Sequence, residues 1–253
     1  MKTKFFCGLI LLQLAMLNAA RADLFGGLSK SLFGSSAASA LPQSQIADGL
    51  KAALGKGVSN AVVSLGHDGG FLGNPDVKIP LPGAMQKLES GLRLAGQGQM
   101  VDDFVASMNH AAEKAVPVAA GVFGDAIKQM TITDAQNILS GAPDAATQYF
   151  RRTASTNLTA QFYPLVQKAT DSVGATAKYK ELTGKFAAVG ALGSLFGNKS
   201  GGSTSPVDVD AYVTQKAMDG LFKMVAAEEK NIRSNPLART SDLLKTVFGS
   251  TGK

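Results

Sequence analysis

The chain has 253 residues, with 25 Lys and Arg against 19 Asp and Glu, two His and one Cys. That length suits one large core, and a single Cys excludes an intrachain disulfide or a cysteine-built metal site. The formal net charge of +6 comes without an arginine-rich run or an aromatic-interleaved basic stripe, which excludes a nucleic-acid binder.

Residues 1–22, MKTKFFCGLILLQLAMLNAARA, read as a signal peptide. Lys2 and Lys4 start it, an apolar run follows, and Ala20-Arg21-Ala22 gives a small-x-small cleavage site. The run is shorter than the roughly 20 residues a spanning helix needs. The expected mature chain begins at Asp23 and is periplasmic. Cleavage removes Cys7, Lys2, Lys4 and Arg21 and no acid, so the net charge falls from +6 to +3. Residues 23–42 read as a mobile arm. Leu24, Phe25, Leu28, Leu32 and Phe33 share one helix side, but Gly26, Gly27, Gly34 and a lone Lys30 make 23–34 a weak membrane anchor.

From 43 to 249 the expectation is an all-α, single multi-helix domain, because apolar residues recur at helical spacing. Ile46, Leu50, Leu54, Val58, Val62 and Leu65 mark a first helix, and Gly66 closes it. Gly49, Gly55 and Gly57 inside it point to close approach by a neighbour. GHDGGFLGNPDVKIPLPG then breaks the rhythm. It reads as a Gly/Pro-rich loop with a short extended segment, since Val77, Ile79 and Leu81 alternate while Pro80 and Pro82 remove ladder donors. Met85, Leu88 and Leu92 resume the helical spacing up to Gly96. A long stripe from Val101 to Met130 is interrupted by Pro117, which predicts a kink or two abutting helices.

In KQMTITDAQNILSGAPDAATQYFRR, Thr133 with Gln136 fits a capping box, with Thr131 and Asp134 as the alternative register. Gly141 suits a left-handed stop, and Asp144 a cap for the next helix. Leu158, Phe162, Leu165, Val166 and Ala169 mark a further helix disturbed by Pro164. Tyr179, Leu182, Phe186 and Val189 mark another. Residues 197–205 read as a flexible loop. Val209 to Ile232 form the most regular helix, with Asp219–Lys223 and Glu229–Arg233 as i,i+4 pairs. Glu228 falls on its apolar stripe and needs a polar partner. Ser241 caps a last short helix, and 250–253 are a disordered tail.

M-T-I-T-D-A-x-x-I-L-x-G followed by A-A-T-x-Y-F-R resembles a widespread bacterial family catalogued only as a domain of unknown function. The resemblance continues through VKIPLPGAMQKLESGLRLAGQGQMVDDFVASMNHAAEKAVPVA and VDAYVTQKAMDGLFKMVAAEEKNIRSNPLARTSDLLKTVFG. It covers nearly all of 43–249. It implies a secreted helical domain and supplies no activity, substrate or catalytic residue.

No nucleophile elbow, zinc-protease helix or phosphate loop is present in the sequence. His110-x-x-Glu113 offers two metal ligands where three or four are needed, so no metal and no cofactor are expected. The side chains with chemistry to offer a ligand are Glu89, Arg93, Asn109, Glu113, Tyr149 and Arg152. The expected function is a non-enzymatic binding or interaction protein of the envelope, with an envelope protein or an apolar small molecule as partner. The rival is an envelope hydrolase working with those carboxylate, Tyr and Arg side chains. Convergence of the six in one cleft would favour the rival.

Overall fold

A computed structural model of the chain describes residues 42–86, 89–195 and 207–234, with the side chains of 84 and 186–195 left aside. The expected signal peptide, arm, 197–205 loop, Ser241 helix and tail lie outside these residues. The described residues from Gln43 onward form one compact unit. In chain order the helices are α1 (Gln43–Leu65), α2 (Gly83–Gln86), α3 (Glu89–Leu94), α4 (Gly98–Ala115), α5 (Ala119–Gln129), α6 (Ile132–Ser140), α7 (Ala145–Ser172), α8 (Ala175–Leu195) and α9 (Val209–Ser234). The protein is all-α: no strand occurs among the described residues. No helix among them is long and apolar enough to cross a membrane.

The long helices α4, α7 and α9 pack against one another, and α1 lies against α9, α5 and α6. At their centre Phe123 meets Phe150 and Phe222 edge-on, with ring centroids 5.0 and 5.8 Å apart. Such tilted pairs set the negative face of one ring against the positive edge of another. Small residues let the backbones approach. A Cβ on Gly57 of α1 would lie 3.2 Å from Ile232 Cδ1 on α9. Gly55, by contrast, faces open space, so only one of these two glycines marks a contact.

Pro117 separates two abutting helices. α4 ends at Ala115, one 3₁₀ turn covers Val116–Val118, and α5 begins at Ala119. Pro164 does the opposite of what its chemistry suggests. The helix expected from Asp144 and the one marked by Leu158 to Ala169 are a single helix, α7, which runs through the proline. Pro164 and Ala160 are both exposed, so water can satisfy the carbonyl the proline leaves unpaired. Leu165, expected in the buried stripe, is 39% exposed.

The α6 start follows the alternative register. Thr131 is the N-cap: its hydroxyl accepts from the Asp134 amide, and the Asp134 carboxylate accepts from the Thr131 amide and hydroxyl. Thr133 is exposed and inside the helix. Hydrogen bonds from the Thr131 hydroxyl and amide hold the Asp134 carboxyl below its usual range. A folded-state value depressed this way adds stability above the unfolded carboxyl value, and that stability is lost as pH falls through the folded one. Thr131→Ala is expected to cost about 0.5–2 kcal/mol at neutral pH and less in acid. Thr133→Ala is expected to change stability by less than about 0.5 kcal/mol. Urea unfolding of both variants at two pH values checks the pair, and equal losses would contradict the assignment.

Gly141 ends α6 in an extended conformation, with φ −83°, not a left-handed one. It is needed for space: a Cβ there would lie 2.5 Å from the Asn137 carbonyl oxygen. The left-handed stop is found at Gly96 after α3, with φ 78° and the Gln97 amide donating back to the Leu92 carbonyl.

Candidate functional sites on the α4 loop and in the α7–α9 cleft

The Gly/Pro-rich segment 66–82 lies over α4 and α9, and buried polar groups hold it there. Val77, Ile79 and Leu81 are all buried, as their alternation predicts. The extended piece has no ladder partner. Asn109 of α4 takes that role: its Oδ1 accepts from the Ile79 amide at 2.8 Å, and its Nδ2 donates to the Ile79 carbonyl at 2.9 Å. The same Nδ2 donates to the Val105 carbonyl at 2.7 Å. One turn on, Glu113 Oε1 accepts from the Phe71 and Leu72 amides at 3.0 and 3.1 Å. Its Oε2 lies 2.8 Å from His110 Nδ1. Burial pushes the Glu113 carboxyl up, but the Leu72 amide, His110 and the Phe71 and Gly69 amides outweigh it and hold the group below the usual range. Phe71 is fully buried against Gly220 of α9, where a Cβ would come within 2.7 Å of the ring. From α9, Tyr212 donates to the Pro80 carbonyl and Lys223 Nζ reaches Asp76 Oδ1 at 3.0 Å. Lys223 therefore pairs across to the loop, and Asp219 faces Lys216 instead of the expected Lys223.

The same arrangement brings a third ligand-type group to the His110–Glu113 pair. One atom each of Asp68, His110 and Glu113 lie within 4.8 Å of one another. Sequence spacing shows the second and third on one helix. It does not show that a loop more than 40 residues upstream returns over them.

The six side chains singled out from sequence do not converge. Asn109 and Glu113 are buried and anchor the loop. Glu89 and Arg93 form an exposed cluster at α3, where Arg93 also bonds Asp102 Oδ1 at 2.6 Å. The Arg93 guanidinium holds the Asp102 carboxyl below its usual range. Tyr149 is buried and donates to the Ala126 carbonyl at 3.0 Å. Desolvation, with a contribution from Asp134, pushes its hydroxyl pKa up and keeps it neutral. Arg152 is exposed, near Asp134.

The buried carboxylate of α9 is Glu229, not Glu228. Glu228 is half-buried and accepts from Asn60 Nδ2 at 3.0 Å. Glu229 accepts from the Ala146 and Thr147 amides at 3.0 and 2.8 Å, from the Thr147 hydroxyl, and from Arg233. Asp144 stands at the N-cap position of α7 but its side chain bonds Gln148, so α7 is capped from another helix.

A second place with ligand-binding character lies between α7 and α9. A cleft of about 310 Å³ is lined by Arg151, Ser155 and Tyr163 from α7 and Thr214, Met218 and Phe222 from α9. The Arg151 guanidinium lies 4.4 Å from the Phe222 ring centroid and makes no ion pair among the described residues. Thr214 is 3% exposed, and its hydroxyl has no hydrogen-bond partner among the described residues. Neither Arg151 nor Thr214 is among the side chains that the sequence singles out. Neither has a signal until the two helices are set side by side.

Fold and sites together define an all-helical domain whose buried acid and amide side chains hold irregular backbone in place. The chain belongs to the family described as protein of unknown function (DUF4197), whose model matches residues 40–249. No curated protein and no solved structure matches the chain.

Proposed function

We propose that this is an exported, non-enzymatic binding protein of the bacterial envelope, and that its ligand is a small amphipathic molecule seated between α7 and α9. The observation that carries the reading is Thr214. A buried hydroxyl without a partner is costly, about 1–3 kcal/mol, and native proteins leave few of them. Thr214 lines a cleft that also offers a guanidinium over an aromatic ring and the apolar Met218 and Phe222. An acceptor or anionic group reaching Arg151 and Thr214, carried on a short apolar body, matches that lining. The dispersal of Glu89, Arg93, Asn109, Glu113, Tyr149 and Arg152 supports binding over hydrolysis, because no two acids among them share a cleft with the tyrosine.

Export rests on the amino-terminal pattern. Protein purified from envelope material is expected to begin at Asp23, and retention of Lys2 and Phe5 in its mass would contradict that.

For the ligand, protein recovered from cells is extracted and the small molecules identified by mass spectrometry. A compound retained by the unaltered protein and depleted at least tenfold in Arg151→Ala is expected. Identical extracts from both would overturn the reading. Thr214→Val keeps the shape and removes the unpaired hydroxyl, so it is expected to raise stability by about 1 kcal/mol while weakening ligand retention. A fall in melting temperature would mean that the hydroxyl has a partner within the protein.

A further inference from the structure

We propose that Asp68, His110 and Glu113 form a site for a divalent transition-metal ion of the zinc class. The three groups offer one imidazole nitrogen and two carboxylate oxygens, a donor set that such ions accept. Their ligand atoms all lie within 4.8 Å of one another. Bonds of about 2.0–2.2 Å in a tetrahedral site set ligand atoms about 3.3 Å apart. The 2.8 Å His110–Glu113 contact would open slightly and Asp68 would close on the pair. Asp68 is exposed and free to do so.

Three further features favour an ion over a simple His–Glu pair. The Asp68 carboxylate has no hydrogen-bond or ion-pair partner among the described residues, yet it is brought beside a second carboxylate. Glu113 is held in place from behind: its Oε1 is fixed by the Phe71 and Leu72 amides, which leaves Oε2 turned toward His110. Such fixing of a ligating carboxylate is how outer contacts orient a metal ligand. The His110 side chain is 39% exposed, so an ion can enter from solvent and keep water in its remaining position. Both histidines of the chain sit at this junction, since His67 precedes Asp68 and its Nδ1 lies 2.8 Å from the Asp68 carbonyl oxygen.

The test uses tag-free full chain stripped with a chelator and titrated with zinc by calorimetry, alongside Asp68→Asn and His110→Ala. One zinc per chain with micromolar or tighter affinity is expected, with each substitution weakening it at least tenfold. Asp68→Asn lies on the surface and is expected to keep the metal-free melting temperature unchanged, so a loss of affinity there reports the site and not the fold. Zinc is expected to raise the melting temperature of the unaltered chain and to leave that of Asp68→Asn in place. Absence of one-to-one binding, equal affinity in Asp68→Asn, or calcium binding as tightly as zinc would each overturn the proposal.

Discussion

Glu229→Ala is expected to destabilise the domain by about 3–5 kcal/mol, because it removes a buried carboxylate on which two amides, a hydroxyl and a guanidinium converge. Three consequences add up. Two amide hydrogens at the start of α7, on Ala146 and Thr147, lose their acceptor while buried. The Thr147 hydroxyl loses its partner too. Arg233, 20% exposed and bonded to Glu229 by both Nε and Nη2, keeps only the Ile138 carbonyl among those contacts. The carboxylate also faces the positive end of the α7 dipole, which adds to what is lost. For a domain of this size each kcal/mol is worth about 2–4 °C, so the melting temperature should drop by roughly 10 °C. Arg233→Ala gives the contrast. It leaves Glu229 with its amide donors, and the expected cost is about 1–2 kcal/mol, a charge-assisted hydrogen bond lost with its donor. Urea unfolding of the two variants measures the difference. Equal losses would mean that the ion pair, and not the capping of α7, is what Glu229 contributes.

Glu229 also shows where sequence reading stops. The helix around it is plain in the spacing of Val209, Val213, Ala217, Leu221, Val225 and Ile232, and all six are buried. Spacing does not tell an acid at i+3 from one at i+4 on a stripe that wide, and Glu228 was the wrong neighbour. The role of Glu229 depends on the first turn of α7, where Ala146 lies 83 residues earlier. No local pattern encodes that meeting.

The same limit explains Glu113. Asp103, His110 and Lys114 mark a solvated helix face when α4 is read alone. The segment 66–82 covers part of that face, so Glu113 is buried while His110 stays half open. The loop itself was legible, because Pro80, Pro82 and the alternation of Val77, Ile79 and Leu81 are local signals. Its docking was not. Caps fall between the two. Thr131 and Thr133 offer the same hydroxyl two residues apart, and only the backbone turn at Met130 decides between them; that residue is extended, with ψ 125°. Pro164 is accommodated inside α7 for a simpler reason: the carbonyl it leaves unpaired belongs to Ala160, which is exposed to water.

Asn109 carries the other large expected effect. Its side chain is fully buried and does for the extended segment what a neighbouring strand does in a sheet, accepting from the Ile79 amide and donating to the Ile79 carbonyl. Asn109→Ala would orphan both groups and leave a small void, for an expected loss of about 2–5 kcal/mol. Asn109→Asp separates shape from hydrogen bonding. The carboxyl has nearly the same volume and can still accept from Ile79. It has no proton for the Ile79 and Val105 carbonyl oxygens unless it is protonated. Burial against two acceptors therefore raises its folded-state pKa above the unfolded value of about 3.9. The sign follows from proton counting: between those two values the folded form binds more protons, so stability falls as pH rises through the window. The variant should be close to the unaltered protein near pH 4 and clearly less stable at pH 7. Urea unfolding at both pH values, with amide exchange followed at Ile79, measures it. If Asn109→Asp is destabilised equally at both, the side chain is not the partner of the Ile79 backbone, and the loop is held by Glu113, Tyr212 and Lys223 alone.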